Sequence, residues 1–306
     1  MATERNAVVT PTRTIQLEHL TKSYGSHRGI VDVTLEALAG QIIGFLGPNG
    51  AGKTTAIRVL MGFLYPTSGR ASVLGQDVVR DSVSVRKSVG YLPGDAALYG
   101  NRTGRELMHL SLRARGLPDD KTRGLEIAER LQAPMDRLIK KCSRGMRQKV
   151  ALVITLAHDP QVLILDEPTS GLDPLAQREL LRLLDEEAKA GKTVLFSSHV
   201  LSEAEQVCDR VAILREGRLI VEDSVENLRG RKYKEVTVTY TNEPPNLEGV
   251  GEVEIVWQHQ NRITFRVRGD VTVLMRRLSE SAIEDVIISE PSLEEVFLDF
   301  YREGPR

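Results

Sequence analysis

Along the first two thirds of the chain, short unbroken apolar runs alternate with stretches whose apolar positions recur every three or four residues. QIIGFLG (Gln41 to Gly47), KSVGYLP (Lys87 to Pro93), QVLILD (Gln161 to Asp166) and TVLFSS (Thr193 to Ser198) are the apolar runs. Their length and apolar character predict buried strands. The helical spacing predicts helices over Thr54 to Phe63, Met146 to Ala157 and Leu175 to Ala190, and a largely helical region from Thr103 to Leu138. Within that region Thr103 and Glu106 have the T-x-x-E spacing of a capping box, and Gly116 is a candidate stop. VAILREGRLIVE (Val211 to Glu222) reads as a hairpin around Glu216 and Gly217. Strands buried on both faces, alternating with helices, predict a mainly parallel sheet with crossovers.

The pattern changes near Arg229 and Gly230. EVTVTYT (Glu235 to Thr241), VEIVW (Val253 to Trp257) and RITFRVR (Arg262 to Arg268) alternate apolar and polar residues, as half-exposed strands do. A turn-rich loop (Asn242 to Gly251), a helix around Val273 to Ser281 and a strand DVIIS (Asp285 to Ser289) complete the pattern. A last helix is expected from Leu293, with Leu293, Val296, Phe297, Phe300 and Tyr301 on one face. The expected division is a domain over 14–230, with a helical subdomain over about 100–158, and a small α+β domain over 231–306. Residues up to about Thr14 read as a loosely tied arm.

Composition narrows the function classes. With 306 residues the chain is long enough for one large domain and a smaller one. Lys and Arg number 41 against 42 Asp and Glu, so no global basic field points to nucleic acid. Two cysteines, Cys142 and Cys208, do not make a disulfide framework and fit a reducing compartment. The N-terminal MATERNAVVTPTRT has no apolar segment of a secretory signal. The longest apolar stretches, such as Val150 to Ala157, fall far short of the ~20 residues needed to cross a bilayer. The chain is expected to be soluble, or peripheral to a membrane through a partner.

One motif carries explicit chemistry. Gly47-Pro48-Asn49-Gly50-Ala51-Gly52-Lys53-Thr54 matches G-x-x-x-x-G-K-[ST] between an expected strand and an expected helix. Glycines let successive backbone N–H groups turn towards one centre, and the helix N-terminus adds partial positive charge. Such a loop cradles phosphates, with Lys53 reaching the terminal ones and the Thr54 hydroxyl binding Mg²⁺. In open α/β sheets ligands meet the C-terminal ends of strands. The strand Val162 to Leu165 would therefore bring Asp166 to the metal and Glu167 to an attacking water. His199 ends a third buried strand, where a donor nitrogen could hold a γ-phosphate.

At these residues the sequence resembles the ATP-binding subunits of ATP-binding cassette (ABC) transporters, over about Thr14 to Arg229. Gly47 to Thr55 resembles the Walker A segment, and Val162 to Glu167 resembles Walker B, with Glu167 in the catalytic glutamate position. Ser170 to Asp173 resembles the D-loop, and His199 the switch histidine. Tyr24 sits where the family places an aromatic against adenine. Ser143-Arg144-Gly145-Met146-Arg147-Gln148 resembles the signature motif, whose Ser143 and Gly145 would face a nucleotide held by a second subunit. The resemblance implies a P-loop NTPase cassette with an antiparallel N-terminal β part and a helical subdomain. It implies ATP and Mg²⁺ as cofactors and a homodimer sandwiching two nucleotides head to tail.

Three positions depart from the family pattern, two in the signature and one in the Q-loop. Cys142 and Arg144 replace the usual Leu and first Gly of the signature, with Arg144 expected either to add charge at the γ-phosphate or, the favoured reading, to face solvent. Gly94 stands where the family has the Q-loop glutamine, and Asp95 is the nearest substitute. PSLEEVFLDFY (Pro291 to Tyr301) resembles the C-terminal part of ABC-2 type subunits similar to daunorubicin-resistance exporters. The implied function is an ATPase on the inner face of the cell membrane that drives a separate integral-membrane permease. Its loop Gly94 to Arg102, with Leu98 and Tyr99, and the helical region would receive the permease. The alternatives are a soluble ABC ATPase acting on nucleic acid or ribosomes, and a nucleotide-dependent binding module with little turnover. Balanced charge and a single cassette weigh against nucleic acid, and Glu167 weighs against the binding module.

Overall fold

Ile15 and Leu17 alternate with polar neighbours, and an irregularity before Leu20, with His19 at φ +48°, returns that side chain to the buried face of a half-buried strand. The computed structural model describes residues 12–25, 27–118, 122–230, 234–268 and 270–289. Most of the expected N-terminal arm and the expected last helix from Leu293 lie outside them. The end of the arm is corrected: Arg13 and Thr14 belong to β1 (Arg13–Tyr24). Thr14 is buried, its hydroxyl bonded to Ala37 O at 3.1 Å and to the Thr193 hydroxyl at 2.7 Å.

The chain then runs through β2 (His27–Leu38), β3 (Ile42–Leu46), α1 (Lys53–Leu60), β4 (Ser68–Val73), β5 (Gln76–Asp77), α2 (Ser82–Ser88) and β6 (Val89–Leu92). Next come α3 (Gly104–Ala114), α4 (Thr122–Arg130), a 3₁₀ turn (Ile139–Lys141), α5 (Arg144–Leu156), β7 (Val162–Asp166), α6 (Pro174–Lys189), β8 (Thr193–Ser198), α7 (Leu201–Val207), β9 (Arg210–Arg215) and β10 (Arg218–Ser224). The remaining elements are α8 (Val225–Gly230), β11 (Lys234–Tyr240), β12 (Glu252–His259), β13 (Arg262–Arg268), α9 (Val271–Ser279) and β14 (Ile283–Ser289). α2 and α7 have seven residues each, with one and two buried positions, too few to write a helical period.

Two compact units divide between Asp223 and Ser224. The first holds two sheets. One is antiparallel, in the order β2-β1-β4-β5. The other has six strands in the order β10-β9-β3-β8-β7-β6, with β6, β7, β8, β3 and β9 mutually parallel. Every residue of β3, β7 and β8 is buried, so their unbroken apolar character reflects a sheet covered on both faces. Ile15, Leu17 and Val33 of the antiparallel sheet pack with Ile57 and Leu60 of α1 and Phe45 and Ile164 of the central sheet. Each such side chain contributes about 1.5–3 kcal/mol of burial free energy.

The capping box at α3 forms as the spacing predicts. The Glu106 N–H donates to the Thr103 hydroxyl at 3.2 Å, and the Thr103 N–H donates to the Glu106 carboxylate at 2.8 Å. Gly116, at φ +75°, follows the helix end. α4 is held to α6 by Arg130, which pairs with Glu179 and Glu186, each at 2.6 Å. α5 begins two residues before the predicted Met146, because Ser143 caps it and accepts from the Met146 N–H.

The second unit is an antiparallel sheet in the order β12-β13-β11-β14 with α9 against it. Val236, Val238, Ile263, Phe265 and Val267 form its core with Leu274 and Leu278 of α9. These are the inward positions of the predicted alternation.

Candidate active site

The strand order decides what can meet. β3 lies between β8 and β9, and β8 lies beside β7, all parallel. Their C-terminal ends therefore adjoin, and three loops leave from one rim: the glycine-rich loop after Leu46, the Asp166-Glu167 pair, and Ser198-His199.

The glycine-rich loop is sterically obligatory at two points. A Cβ on Gly47 (φ +152°) would meet Leu214 O at 2.4 Å, and one on Gly52 (φ +106°) would meet Gly29 O at 2.7 Å. Gly52 is the N-cap of α1 and offers no side chain there, so the first N–H groups of the helix stay free for an anion. Asn49, Gly50, Ala51, Gly52, Lys53, Thr54 and Thr55 line one open cleft with Tyr24, Gly29 and Glu167. Pro48 contributes its carbonyl to the lysine below them.

Lys53 is 5% exposed. Its ammonium donates to Gly47 O at 2.6 Å and Pro48 O at 3.2 Å, and lies 3.9 Å from Glu167 Oε1. Burial lowers its pKa, while the Glu167 and Asp166 carboxylates pull it back up. Asp166 is 3% exposed and held from both sides. The Thr54 hydroxyl donates to its Oδ2 at 2.8 Å, and the Ser197 hydroxyl donates to its Oδ1 at 2.5 Å.

Glu167 sits in the left-handed region at φ +48°, unfavourable for a residue with a side chain. Its N–H is fixed by Ser197, to the carbonyl at 3.2 Å and to the hydroxyl at 3.0 Å. This bend turns the carboxylate towards Lys53 and towards His199, whose Nδ1 lies 3.3 Å from Glu167 Oε1. Lys53, Thr54, Asp166, Glu167 and His199 thus form one linked set.

Tyr24 is 43% exposed at the mouth of the cleft. Lys22 Nζ lies 5.5 Å from its ring centroid. Gly29 backs it: a Cβ there would lie 2.9 Å from the Tyr24 ring and 3.0 Å from the Thr55 methyl. Ser143 and Gly145 do not line this cleft. They lie at the N-terminus of α5, where a Cβ on Gly145 would meet Gly171 O at 2.4 Å. Arg144, expected to face solvent, is exposed but bonded: its Nη2 donates to the Ser170 hydroxyl at 3.1 Å. Gly94 faces Asp166, with its Cβ position 3.4 Å from Oδ2.

Two contributors were not singled out in the sequence. Ser197 braces both carboxylate residues and Gly29 backs Tyr24, while Gln148, the last residue of the signature stretch, donates from α5 to Pro168 O at 3.1 Å. A signal existed for Ser197, a polar residue at the end of an otherwise apolar strand beside the carboxylates. Gly29 had none.

Residues 30–170 match the family model described as ABC transporter. The chain is 35% identical over 294 residues to the bacitracin transport ATP-binding protein BcrA of Bacillus licheniformis, covering 93% of this chain and 96% of that one. It is 33% identical over 299 residues to the daunorubicin resistance ATP-binding protein DrrA3 of Streptomyces coeruleorubidus, covering 93% of this chain and 94% of that one. Among solved structures it resembles an ATP-binding subunit of an ABC transporter, with a TM-score of 0.65 at 29% identity over 71% of this chain and 92% of that one. It also shares the fold of a dimeric ATP-binding cassette bound to ADP and Pi, with a TM-score of 0.62 at 23% identity over 69% of this chain and 98% of that one. The chain belongs to the ABC transporter family, as an ATP-binding, ATP-hydrolysing subunit related to those of ABC-2 type exporters.

Proposed function

We propose that this chain is the ATPase of an ABC-2 type exporter: it dimerises on MgATP and drives a separate membrane permease, with a drug, lipid or polysaccharide as cargo. The observation that carries the reading is the linked set of Lys53, Glu167 and His199 at the rim of the glycine-rich loop. Free N–H groups at the start of α1 and the Lys53 ammonium bind the phosphates. Tyr24 offers a ring for the adenine. Glu167 accepts the proton of the attacking water, and His199 holds the carboxylate and donates to the γ-phosphate.

The residues present fit Mg²⁺. Thr54 and Asp166 supply hard oxygen donors 2.8 Å apart. Among the described residues no group of three or more His, Cys, Asp or Glu side chains could hold a metal. An ion there would share its coordination with nucleotide phosphates. When bound, Mg²⁺ neutralises charge developing on the transferring phosphoryl group.

Ser143 and Gly145, outside the chain's own cleft, serve a nucleotide held by a second copy, which gives an isologous pair. No described helix is long and apolar enough to cross a membrane, which fits a division of labour with a permease. Tyr99 is 69% exposed in the loop assigned to that partner. The chain would then work on the cytoplasmic face of the membrane. The test is recovery of the Glu167→Gln variant from detergent-solubilised native membranes, with and without MgATP. MgATP-dependent recovery of a polytopic membrane protein supports the reading. Recovery of soluble nucleic-acid complexes alone overturns it.

A further inference from the structure

Arg144 occupies a position where the family pattern has glycine, and its contact runs to the turn that carries Glu167. The turn from Glu167 to Asp173 is held against α5 at several points. Gln148 Nε2 donates to Pro168 O at 3.1 Å, and Lys149 pairs with Asp173 at 2.8 Å. Gly145 lies so close to Gly171 O that no side chain fits between them. Arg144 adds the outermost contact, its guanidinium reaching the Ser170 hydroxyl at 3.1 Å. The Cβ position of Gly171 lies 3.6 Å from Arg144 Cγ, Cδ and Nε, so the side chain lies along the turn.

Ser170 is one step from the carboxylate, because its N–H donates to Glu167 O at 3.1 Å. Glu167 itself is held at φ +48°. A residue in that region keeps its conformation only while its surroundings enforce it. On the strand side Ser197 enforces it through the Glu167 N–H. On the helix side the brace runs through Ser170, and Arg144 closes it.

We propose that Arg144 is a positioning residue for hydrolysis: by donating to the Ser170 hydroxyl it holds the turn that presents the Glu167 carboxylate. The proposal rests on the reading of Glu167 as the base. It makes the start of α5 and the catalytic carboxylate move as one piece within a single chain.

The test uses the full chain and steady-state ATPase assays on Arg144→Ala, Arg144→Lys, Ser170→Ala, the Arg144→Ala/Ser170→Ala double variant and Glu167→Gln. Losing one net hydrogen bond lowers kcat about fivefold in each single alanine variant. KM for ATP stays within about twofold, because the cleft is untouched. The double variant falls no further than either single one, since both remove the same contact. Arg144→Lys, which keeps a donor, recovers part of the rate. A loss of fold alone would not separate kcat from KM or give this non-additivity. The proposal is overturned if Ser170→Ala keeps the wild-type kcat while Arg144→Ala loses it, for the guanidinium then acts on a ligand and not on the turn. Additive losses, or wild-type rates in both, overturn it too. Glu167→Gln separates the failures. Full activity there removes the base and the proposal with it, whereas an inactive Glu167→Gln beside a failed Arg144 series removes the proposal alone.

Discussion

Replacing Ser197 by alanine removes one hydroxyl that does two jobs. It donates to Asp166 Oδ1 at 2.5 Å and accepts from the Glu167 N–H at 3.0 Å. Ser197 is fully buried and Asp166 is 3% exposed, so water cannot readily replace the lost donor. A hydrogen bond to a buried charge contributes about 1.5–3 kcal/mol. The Glu167 N–H keeps its second acceptor, Ser197 O at 3.2 Å, and Thr54 still donates to Asp166 Oδ2 at 2.8 Å, so the loss stays in that range. For a unit of this size each kcal/mol lowers Tm by about 2–4 °C, which predicts a fall of about 3–12 °C. Asp166 would also lose its orientation, and the Mg²⁺ concentration for half-maximal ATPase rises about fivefold. Differential scanning fluorimetry and a Mg²⁺ titration of activity read the two effects separately. A variant with Tm within about 1 °C of wild type and an unchanged Mg²⁺ titration would refute the reasoning.

Other outcomes follow from single contacts. Gly94→Gln is expected to fold, since Gly94 has no positive φ and its Cβ position lies 3.4 Å from Asp166 Oδ2. Its amide should lower the Mg²⁺ concentration for half-maximal ATPase about fivefold, and an unchanged titration would show that the loop does not face the metal position. His158, pushed down from 6.5 to about 4 by burial and the nearby Arg115 charge, favours its neutral form in the folded state. The stability it supports is present above pH 6.5 and is lost as pH falls towards 4. With discount for its partial exposure this is about 1–3 kcal/mol, and His158→Gln should flatten the urea midpoint across that window. Glu167→Gln should bind ATP in EDTA more tightly than the wild type does, measured by calorimetry, and equal affinities would mean that Glu167 does not repel the nucleotide.

The first sheet rim was readable because it is written in unbroken apolar runs, each ending at a chemical residue: Leu46 before the glycine loop, Leu165 before Asp166, Ser198 before His199. Burial on both faces forces that composition, so the pattern survives without knowledge of the partners. The capping box at Thr103 was equally local. Arg13 and Thr14 were misread because their order comes from residues far along the chain, Thr14 bonding to Thr193 and Arg13 pairing with Glu36 at 2.8 Å. The Arg144–Ser170 contact was hidden for the same reason, its partner lying 26 positions away. Tertiary proximity of single polar groups leaves no period in a sequence. The short helices α2 and α7 bury too few residues to write one.

Charge balance explains why these particular side chains interlock. The rim carries two carboxylates, Asp166 and Glu167, against the buried ammonium of Lys53. A buried ammonium costs several kcal/mol unless it is paired. Here two backbone carbonyls and Glu167 supply that pairing, so Lys53 is held ready at the loop and not left to collapse elsewhere. A polyphosphate entering alone would offer Lys53 a better partner, but it would bring several negative charges against two carboxylates that Lys53 alone cannot neutralise. Coulomb repulsion at a few ångströms in a partly dry cleft amounts to several kcal/mol. A divalent cation held by Thr54 and Asp166, as proposed, would reverse the sign at that point. Under the proposed function Asp166 would then be neutralised, and Glu167, beside His199, would remain as the carboxylate for the water. With Asp166 as the proposed metal ligand and Glu167 as the proposed base, the adjacent pair would divide the labour electrostatically. The left-handed bend at Glu167 sets its carboxylate against Lys53 and His199, while that of Asp166 is held by Thr54 and Ser197.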